Sequence, residues 1–235
     1  MMIRRLKKDV LDLPEKNYII EYVEMSSRQK KIYDSIRNEL LEEIDLISAS
    51  SNPLSMLIRA RQATGYTGIL SSSVQESAKL DRLEEIVQTI IEDGEKAVIF
   101  SNWTSITDEI VNRLNKYSPL VITGETKDSD RQLLVNEFQT NDKNKIIIGT
   151  VGAMGTGLTL TAAQNVIFVD EPWNMGIREQ AEDRCHRIGQ NNTVNIYILL
   201  TKNTIDERIH NLVQSKGDIS DAIVDKKELV QYLLS

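Results

Sequence analysis

The fold is decided by the stretch Lys145–Gln190, which reads KIIIGTVGAMGTGLTLTAAQNVIFVDEPWNMGIREQAEDRCHRIGQ. It contains two short apolar runs, Ile146–Ile148 and Val166–Val169, with the length and β-branched composition of buried strands. Glycines follow the first run, and the charged pair Asp170-Glu171 follows the second. In a parallel sheet, ligands bind where the carboxyl ends of the strands meet. We therefore expect a parallel α/β sheet with a ligand site at that edge.

The most informative side chains of this stretch belong to Gln180, Arg184 and Arg187, which follow one another at intervals of four and three residues. This spacing predicts that they share one face of a helix over 177–188. Two arginines on one face repel each other, and a planar guanidinium suits a transferring phosphoryl group, so the pattern favours phosphate binding. The alternative is ion pairing with nearby carboxylates, namely Glu179, Glu182, Asp183 or the pair Asp170-Glu171.

Asp170 and Glu171 follow an apolar strand, as the magnesium-binding acids of Walker B strands do. A Walker B strand works together with a GxxxxGK[ST] phosphate loop, and the sequence contains no such loop. We therefore expect Asp170 to cap or orient a neighbouring group rather than to bind magnesium. The glycines between the two strands allow a ligand to approach the backbone, but tight turns also need glycine.

The composition limits the class of protein. The 235 residues carry a net charge of -7, and 40% are hydrophobic and 27% charged, as in an ordinary globular protein. The acidic balance disfavours a self-sufficient DNA-binding domain, which is usually basic. One cysteine, Cys185, excludes an intramolecular disulfide, and with two histidines it excludes a His/Cys zinc site, so no metal site is expected. Since no apolar run approaches ~18 residues, we expect a soluble intracellular protein with no membrane partner, cytoplasmic if bacterial or phage.

The remaining sequence alternates between segments typical of helices and of strands. A strand over Tyr18–Met25 is followed by a long helix to about residue 47 and by another helix that starts at Pro53. Helices between short apolar strands imply a parallel sheet covered on both faces. The later predictions are helix 76–93, strand 97–100, helix 104–116, strand 120–122, helix 129–139, strands 146–149 and 166–169, helix 177–188, strand 194–200, helix 204–214 and a last helix over 218–235.

The run Ser71-Ser72-Ser73 is the one linker-like composition in the chain, and it predicts a domain boundary. We expect a connector and mostly helical extension over 1–74, an α/β lobe over 75–217 and a C-terminal helix over 218–235.

Trp103 and Trp173 both follow predicted strand ends, where exposed aromatic rings can contact nucleic acid. A tryptophan is more often a packing anchor, and we favour packing for both. Cys185 and His186 lie between the two arginines without a partner set for nucleophilic chemistry. For them we expect packing or a hydrogen bond.

Together these motifs resemble the C-terminal RecA-like lobe of SWI/SNF-type (sucrose non-fermenting) superfamily 2 helicase-like ATPases, which are double-stranded DNA translocases. The most specific match is Gln180–Gln190, which is similar to helicase motif VI. Lys96–Trp103 resembles motif IV and Gly149–Leu160 resembles motif V, except that Met154 replaces a family glycine. The similarity spans nearly the whole chain, with further matches at Arg4–Val10, Gln29 and Tyr33, Gly124 with Arg131 and Phe138, the Trp173-Asn174 turn and Thr204–Ile209.

The resemblance implies roles for individual residues. Arg184 and Arg187 correspond to arginine fingers that reach the γ-phosphate of ATP, and Gln180 corresponds to a residue that couples the nucleotide to DNA. The residues implied to line the ATP cleft are Gly155 and Gly157. Those implied to lie near the DNA backbone are Ser101, Asn102, Trp103, Gly124, Thr150 and Trp173.

The same resemblance implies that ATP and Mg2+ are held mainly by an N-terminal RecA-like lobe, whose phosphate loop and DExx strand are not in this sequence. The expected partners are that lobe and double-stranded DNA. We therefore expect half of an ATP-driven DNA translocase, either cut from a longer protein or a lone lobe, that is inactive as an ATPase by itself. The alternative is a non-catalytic RecA-like module that binds a protein partner or nucleic acid. A self-contained nucleotide-binding enzyme built on Asp170-Glu171 would need the missing phosphate loop.

Overall fold

The computed structural model describes residues 13–49, 57–155, 157–217 and 226–235. Three of the predictions fall on residues outside these ranges: the match at Arg4–Val10, the helix start at Pro53 and the first part of the last helix. Among the described residues, no helix is both long enough and apolar enough to cross a membrane.

The sheet consists of six strands, which are β1 (Lys16–Val23), β2 (Ala97–Ser101), β3 (Leu120–Ile122), β4 (Ile146–Thr150), β5 (Asn165–Phe168) and β6 (Val194–Thr201). Their order across the sheet is β1-β6-β5-β2-β4-β3, and every neighbouring pair is parallel. The predicted parallel α/β fold is confirmed, and each strand lies within two residues of its predicted position.

The central strands are apolar on both faces because helices cover both sides of the sheet. β2 and β5 are buried along their whole length. Since successive side chains of a strand alternate, Val98 and Phe100 enter the hydrophobic cluster on one face, while Ala97 and Ile99 enter the cluster on the other. The rings of Phe100 and Phe168 stack with their centroids 5.3 Å apart and join two adjacent strands.

The helices described by the structure are α1 (Ser27–Glu42), α2 (Ile44–Ala49), α3 (Ile58–Gly65), α4 (Ala78–Glu92), α5 (Thr104–Arg113), α6 (Asp128–Thr140), α7 (Val151–Met154), α8 (Met175–Glu182), α9 (Ile205–Lys216) and α10 (Lys226–Leu234). α4 and α5 pack on one face of the sheet, and α6, α7 and α8 pack on the other. A third apolar cluster joins α1, α3, α9 and α10 beside the sheet. The long helix predicted up to residue 47 is interrupted after Glu42 and continues as α2.

Helix α4 shows how its sequence specifies its position. Leu80, Leu83 and Ile90 recur at helical spacing and are buried against the sheet. The helix begins after Ser77, whose hydroxyl accepts a hydrogen bond from the Leu80 N–H at 3.0 Å. This side chain satisfies one of the backbone donors that the first turn leaves unpaired.

Two side chains of α1 form hydrogen bonds with other parts of the fold. The buried amide of Gln29 donates to the Ala63 carbonyl at 3.0 Å and accepts from the Ala78 N–H at 3.1 Å. The Tyr33 hydroxyl accepts from the Ile205 N–H at 2.9 Å, at the start of α9. Because β1 also pairs with β6, the predicted extension contributes the edge strand of the sheet. The domain boundary near residue 74 stays a prediction.

Gly149 gives the first testable prediction. A Cβ on Gly149 would lie 2.1 Å from the Ile122 carbonyl oxygen and 2.9 Å from Sδ of Met154. We expect Gly149→Ala to lower the free energy of unfolding by about 1–3 kcal/mol, because backbone and core must move apart. Urea denaturation of the chain measures this loss. Gly152→Ala is the matched control, since its added methyl group meets open space. Equal stability of the two variants would contradict the prediction.

Candidate functional site

The parallel strands bring most of the predicted site residues to one edge of the sheet. Ser101 and Thr150 are the last residues of β2 and β4, and they pair directly across the sheet. Gly124 lies in the exposed turn two residues after β3. In that turn, the Arg131 guanidinium donates to the carbonyls of Thr126 and Thr123 at 2.9 and 3.3 Å. Chain segments that are distant in sequence thus meet at the carboxyl ends of the strands.

Asp170 is buried at this edge and orients its neighbours. Its Oδ2 accepts a hydrogen bond from Ser101 at 2.7 Å, and the Lys79 ammonium lies 3.8 Å from Oδ1. Asn102 donates its side-chain amide to the carbonyls of Asp170 and Glu171 at 3.2 and 3.3 Å. Burial raises the pKa of the Asp170 carboxyl, although Lys79 and Arg61 partly offset this effect. These contacts confirm that Asp170 orients neighbouring groups, as the sequence indicated.

Trp103 and Trp173 lie on either side of the Arg61 guanidinium. The central carbon of Arg61 is 5.3 Å from the Trp103 ring centroid and 4.6 Å from the Trp173 ring centroid. Both indoles are partly buried, and Arg61 is only 1% exposed. Both tryptophans thus pack against Arg61 through a cation–π contact that the sequence did not reveal, and their contact with DNA stays a prediction.

A cluster of buried charges lies beneath this edge, and sequence reasoning missed most of it. Lys79 makes an ion pair of 2.7 Å with Asp206. Glu171 binds Arg178 on one side and Nδ1 of His210 at 2.8 Å on the other. Lys79 belongs to a helix whose other charged residues are mostly exposed, so helical periodicity alone does not mark it as buried, whereas Arg178 is buried together with Glu182, one turn further along α8. In the described part of the chain, no group of three or more His, Cys, Asp or Glu residues is arranged to hold a metal ion.

The helix predicted over 177–188 ends earlier than expected. α8 spans Met175–Glu182, and Arg184 and Arg187 lie in the turns that follow it. The prediction of a common helix face for Gln180, Arg184 and Arg187 is therefore wrong. The chain leaves the helix because Cys185 is completely buried in the core and the Arg184 carbonyl accepts a hydrogen bond from the Leu160 N–H at 2.8 Å.

The two arginines nevertheless converge, by a different route. Nη1 of Arg184 and Nη1 of Arg187 lie 3.4 and 3.3 Å from the same carbonyl oxygen, that of Leu158. Arg184 also donates Nε to the Gln180 carbonyl at 2.9 Å, and Arg187 donates to the Thr159 hydroxyl at 2.9 Å. Gln180 thus contributes its backbone carbonyl to this arrangement, although the residue is exposed overall.

Three of the carboxylates that could have paired with these arginines, those of Glu171, Glu182 and Asp183, are bound to other cations. Glu182 accepts from Arg178 at 3.1 Å and from Lys16 at 2.7 Å, and Asp183 lies 3.4 Å from the same lysine. Glu171 is bound to Arg178, as described above. Within the described residues, Arg184 and Arg187 have no carboxylate at ion-pair distance. The ion-pair alternative therefore finds no support in the described part of the chain, where both guanidinium groups donate to neutral acceptors.

One short segment connects the arginines with the strand edge. Thr150 ends β4 and caps α7, its hydroxyl accepting from the Ala153 N–H at 3.3 Å. Gly155 follows α7 and is buried, whereas Gly157 is exposed and has φ = +75°, a conformation that favours glycine. The next residue is Leu158, whose carbonyl oxygen accepts hydrogen bonds from both arginines. Of the two predicted cleft glycines, Gly157 is thus next in sequence to the residue that both predicted arginine fingers contact.

Cys185 and His186 have the structural roles expected from the sequence. Burial raises the pKa of the Cys185 thiol, which makes it a poor nucleophile. Nε2 of His186 lies 2.6 Å from the Pro14 carbonyl oxygen.

Comparison with known proteins gives consistent results. The family described as "Helicase conserved C-terminal domain" matches residues 78–189. An uncharacterised ATP-dependent helicase of Mycoplasma pneumoniae is 30% identical over 238 residues, which is 99% of this chain and 23% of that protein. The chain spans about a quarter of the length of the curated relatives it matches over nearly its full extent.

Solved structures match over almost the whole chain. The crystal structure of the C-terminal part of the Fun30 ATPase domain is 25% identical with a TM-score of 0.77, and the match covers 95% of this chain and 99% of that one. The Sulfolobus solfataricus SWI2/SNF2 ATPase core in complex with dsDNA is 27% identical with a TM-score of 0.74, over 99% of this chain and 52% of that one.

Proposed function

The chain belongs to the SWI/SNF-type superfamily 2 helicase-like ATPases and is their C-terminal RecA-like lobe, and from this premise we propose that it is the arginine-donating half of an ATP-driven double-stranded DNA translocase. The observation that carries the proposal is the pair Arg184 and Arg187. Their side chains converge on Leu158, and no carboxylate of the described residues neutralises them. Such a pair of charges suits the oxygens of a transferring phosphoryl group.

The role of this lobe in ATP hydrolysis follows from what its residues can and cannot hold. Arg184 and Arg187 would contact the phosphates, with Gly155 and Gly157 beside them in the cleft. Asp170 does not fit a magnesium ligand, because it is buried and already bound to Ser101 and close to Lys79. Magnesium, when bound with ATP, would neutralise phosphate charge from the side of an N-terminal RecA-like lobe. ATP hydrolysis would then need both lobes in contact, and closure of the cleft would couple hydrolysis to movement.

The DNA-facing part of the proposal concerns the strand edge. Ser101, Asn102, Thr150 and Gly124 lie at the carboxyl ends of neighbouring parallel strands. The Ser101 hydroxyl is completely buried and donates to Asp170, so the groups that would face DNA are the Thr150 hydroxyl, the Asn102 amide and the backbone at Gly124. Hydroxyls, amides and backbone N–H groups contact phosphates without reading base sequence, which suits a protein that moves along a duplex. Because a similar ATPase core has been solved in complex with dsDNA, duplex is the first ligand to test.

The experiment compares ATP turnover by two proteins, this chain alone and this chain joined to the lobe that precedes it. We expect no turnover from the chain alone, because its sequence contains no GxxxxGK[ST] loop to hold the triphosphate. From the joined protein we expect turnover that duplex DNA stimulates more than single-stranded DNA of the same sequence. Turnover by the chain alone would contradict the half-site proposal. If the joined protein is also silent with every nucleic acid, a non-catalytic binding module becomes the better explanation.

A further inference from the structure

Arg61 is the most unusual buried side chain outside the residues already assigned. It lies on α3, is 1% exposed, and its guanidinium is sandwiched between the rings of Trp103 and Trp173. These are the two tryptophans of the chain. Both rings therefore face an internal cation rather than presenting their faces to a ligand.

The hydrogen bonds of Arg61 are incomplete. Nη2 donates to the Glu171 carbonyl at 2.7 Å, but Nε and Nη1 find no hydrogen-bond partner within the described residues. The closest carboxylate oxygen, Oδ1 of Asp206, is 4.0 Å from Nε. Leaving buried N–H groups unpaired costs free energy, so a core selected for stability alone would favour an apolar residue here. The contacts that distinguish this guanidinium are those of its planar faces with the two rings.

Arg61 contacts two loops at the carboxyl ends of the strands. Trp103 belongs to the loop after β2, and Glu171 and Trp173 belong to the loop after β5. Asn102 donates to the same Glu171 carbonyl that receives Nη2 of Arg61. Arg61, lying between the two rings, thus joins the two loops together with Asn102.

We propose that Arg61 is a positioning residue that fixes the spacing of the two duplex-facing loops, acting through Trp103 and Trp173. The inference rests on the proposed DNA-binding role of this edge. Phosphate contacts fix the register of a protein on a duplex, so two loops must present their polar groups at a set distance. Lysine at this position keeps the positive charge near Asp206 but has no planar face to fill the gap between the rings.

The test is Arg61→Lys in the protein that joins this chain to its upstream lobe. ATP turnover is measured across duplex concentrations. We expect the half-saturating duplex concentration to rise about tenfold, the loss typical of one charge-assisted hydrogen bond, while kcat at saturating duplex stays within about threefold. In the isolated chain, the fluorescence of Trp103 and Trp173 reports on their packing against Arg61. We expect Arg61→Lys to shift the emission maximum and to increase quenching of the fluorescence by acrylamide.

A matched control separates positioning from lost stability. Tyr33→Phe removes the buried hydrogen bond to Ile205 far from the tryptophan rings, and we expect it to lower the unfolding temperature without changing the half-saturating duplex concentration. If Arg61→Lys does not fold, Trp173→Phe replaces it, and we expect a smaller change in the same direction.

The outcomes distinguish the two proposals. Duplex-stimulated turnover by the wild type, combined with an unchanged half-saturating concentration in the folded variant, would overturn the role of Arg61 alone. A wild-type protein that duplex does not stimulate would instead overturn the proposed function, and the inference with it. A parallel loss in Tyr33→Phe would show that reduced stability, not loop spacing, explains the effect.

Discussion

Replacing Arg187 by alanine in the joined two-lobe protein is expected to lower kcat for ATP by about 10³-fold or more, the range for a lost arginine finger. The wild-type guanidinium is held by the Leu158 carbonyl and the Thr159 hydroxyl, which orient it without neutralising its charge. Alanine removes that charge, and Arg184 alone would remain at Leu158. KM for ATP should change far less, because a finger acts mainly on the transition state. Steady-state turnover with saturating duplex measures both constants.

Two further variants make this result specific. Arg59→Ala removes an exposed arginine that pairs with Glu39 at 2.8 Å, and we expect its turnover to stay within about twofold of wild type. Arg187→Lys keeps the charge but not the planar fork, so it should restore only part of the loss. A kcat for Arg187→Ala close to that of Arg59→Ala would remove Arg187 from the catalytic machinery.

The largest expected effect on stability comes from Lys79→Met, which should lower the free energy of unfolding by about 3–5 kcal/mol. The Lys79 ammonium lies 2.7 Å from Asp206 and 3.8 Å from Asp170, and it donates to the Val169 carbonyl at 2.9 Å. All three side chains of this group are buried. Methionine fills the volume but leaves two carboxylates without their shared cation. Urea denaturation at neutral pH measures the loss.

The pH dependence of this variant has a definite sign. Burial already raises the pKa of Asp170 above its usual range, and removing Lys79 should raise it further. A carboxyl with a raised pKa in the folded state binds its proton more tightly than in the unfolded chain, so stability is gained as pH falls toward the ordinary carboxyl pKa. The stability difference between Lys79→Met and wild type should therefore shrink at lower pH.

The matched control is an exposed ion pair. Lys202 lies 2.9 Å from Glu24, and both side chains are largely exposed. We expect Lys202→Met to leave the free energy of unfolding nearly unchanged, because solvent screens the pair. If Lys79→Met were no more destabilising than this control, the buried cluster would not depend on Lys79. A double-mutant cycle with Asp206→Asn would give their coupling directly.

The strands and most helices followed from local patterns in the sequence. Ile146–Ile148 and Val166–Val169 predicted two buried strands, and the periodic Leu80, Leu83 and Ile90 predicted α4. These patterns succeed because a fully covered parallel sheet needs apolar runs, and a helix on its face needs an apolar stripe. The prediction failed where the last turns of a helix compete with tertiary contacts. α8 ends at Glu182 because Cys185 is drawn into the core and the Arg184 carbonyl binds the Leu160 N–H.

The sequence by itself determined the class of fold, the positions of its strands and, through Gln180–Gln190, the family. All of these depend on residues close together in the chain. Only the tertiary structure decided how Arg184 and Arg187 converge on Leu158, which cations take the nearby carboxylates, and that Arg61 lies between Trp103 and Trp173. Each of these contacts joins separate elements of the chain. Their geometry depends on which groups the whole fold buries, because burial decides whether a charge must find a partner and where that partner can be.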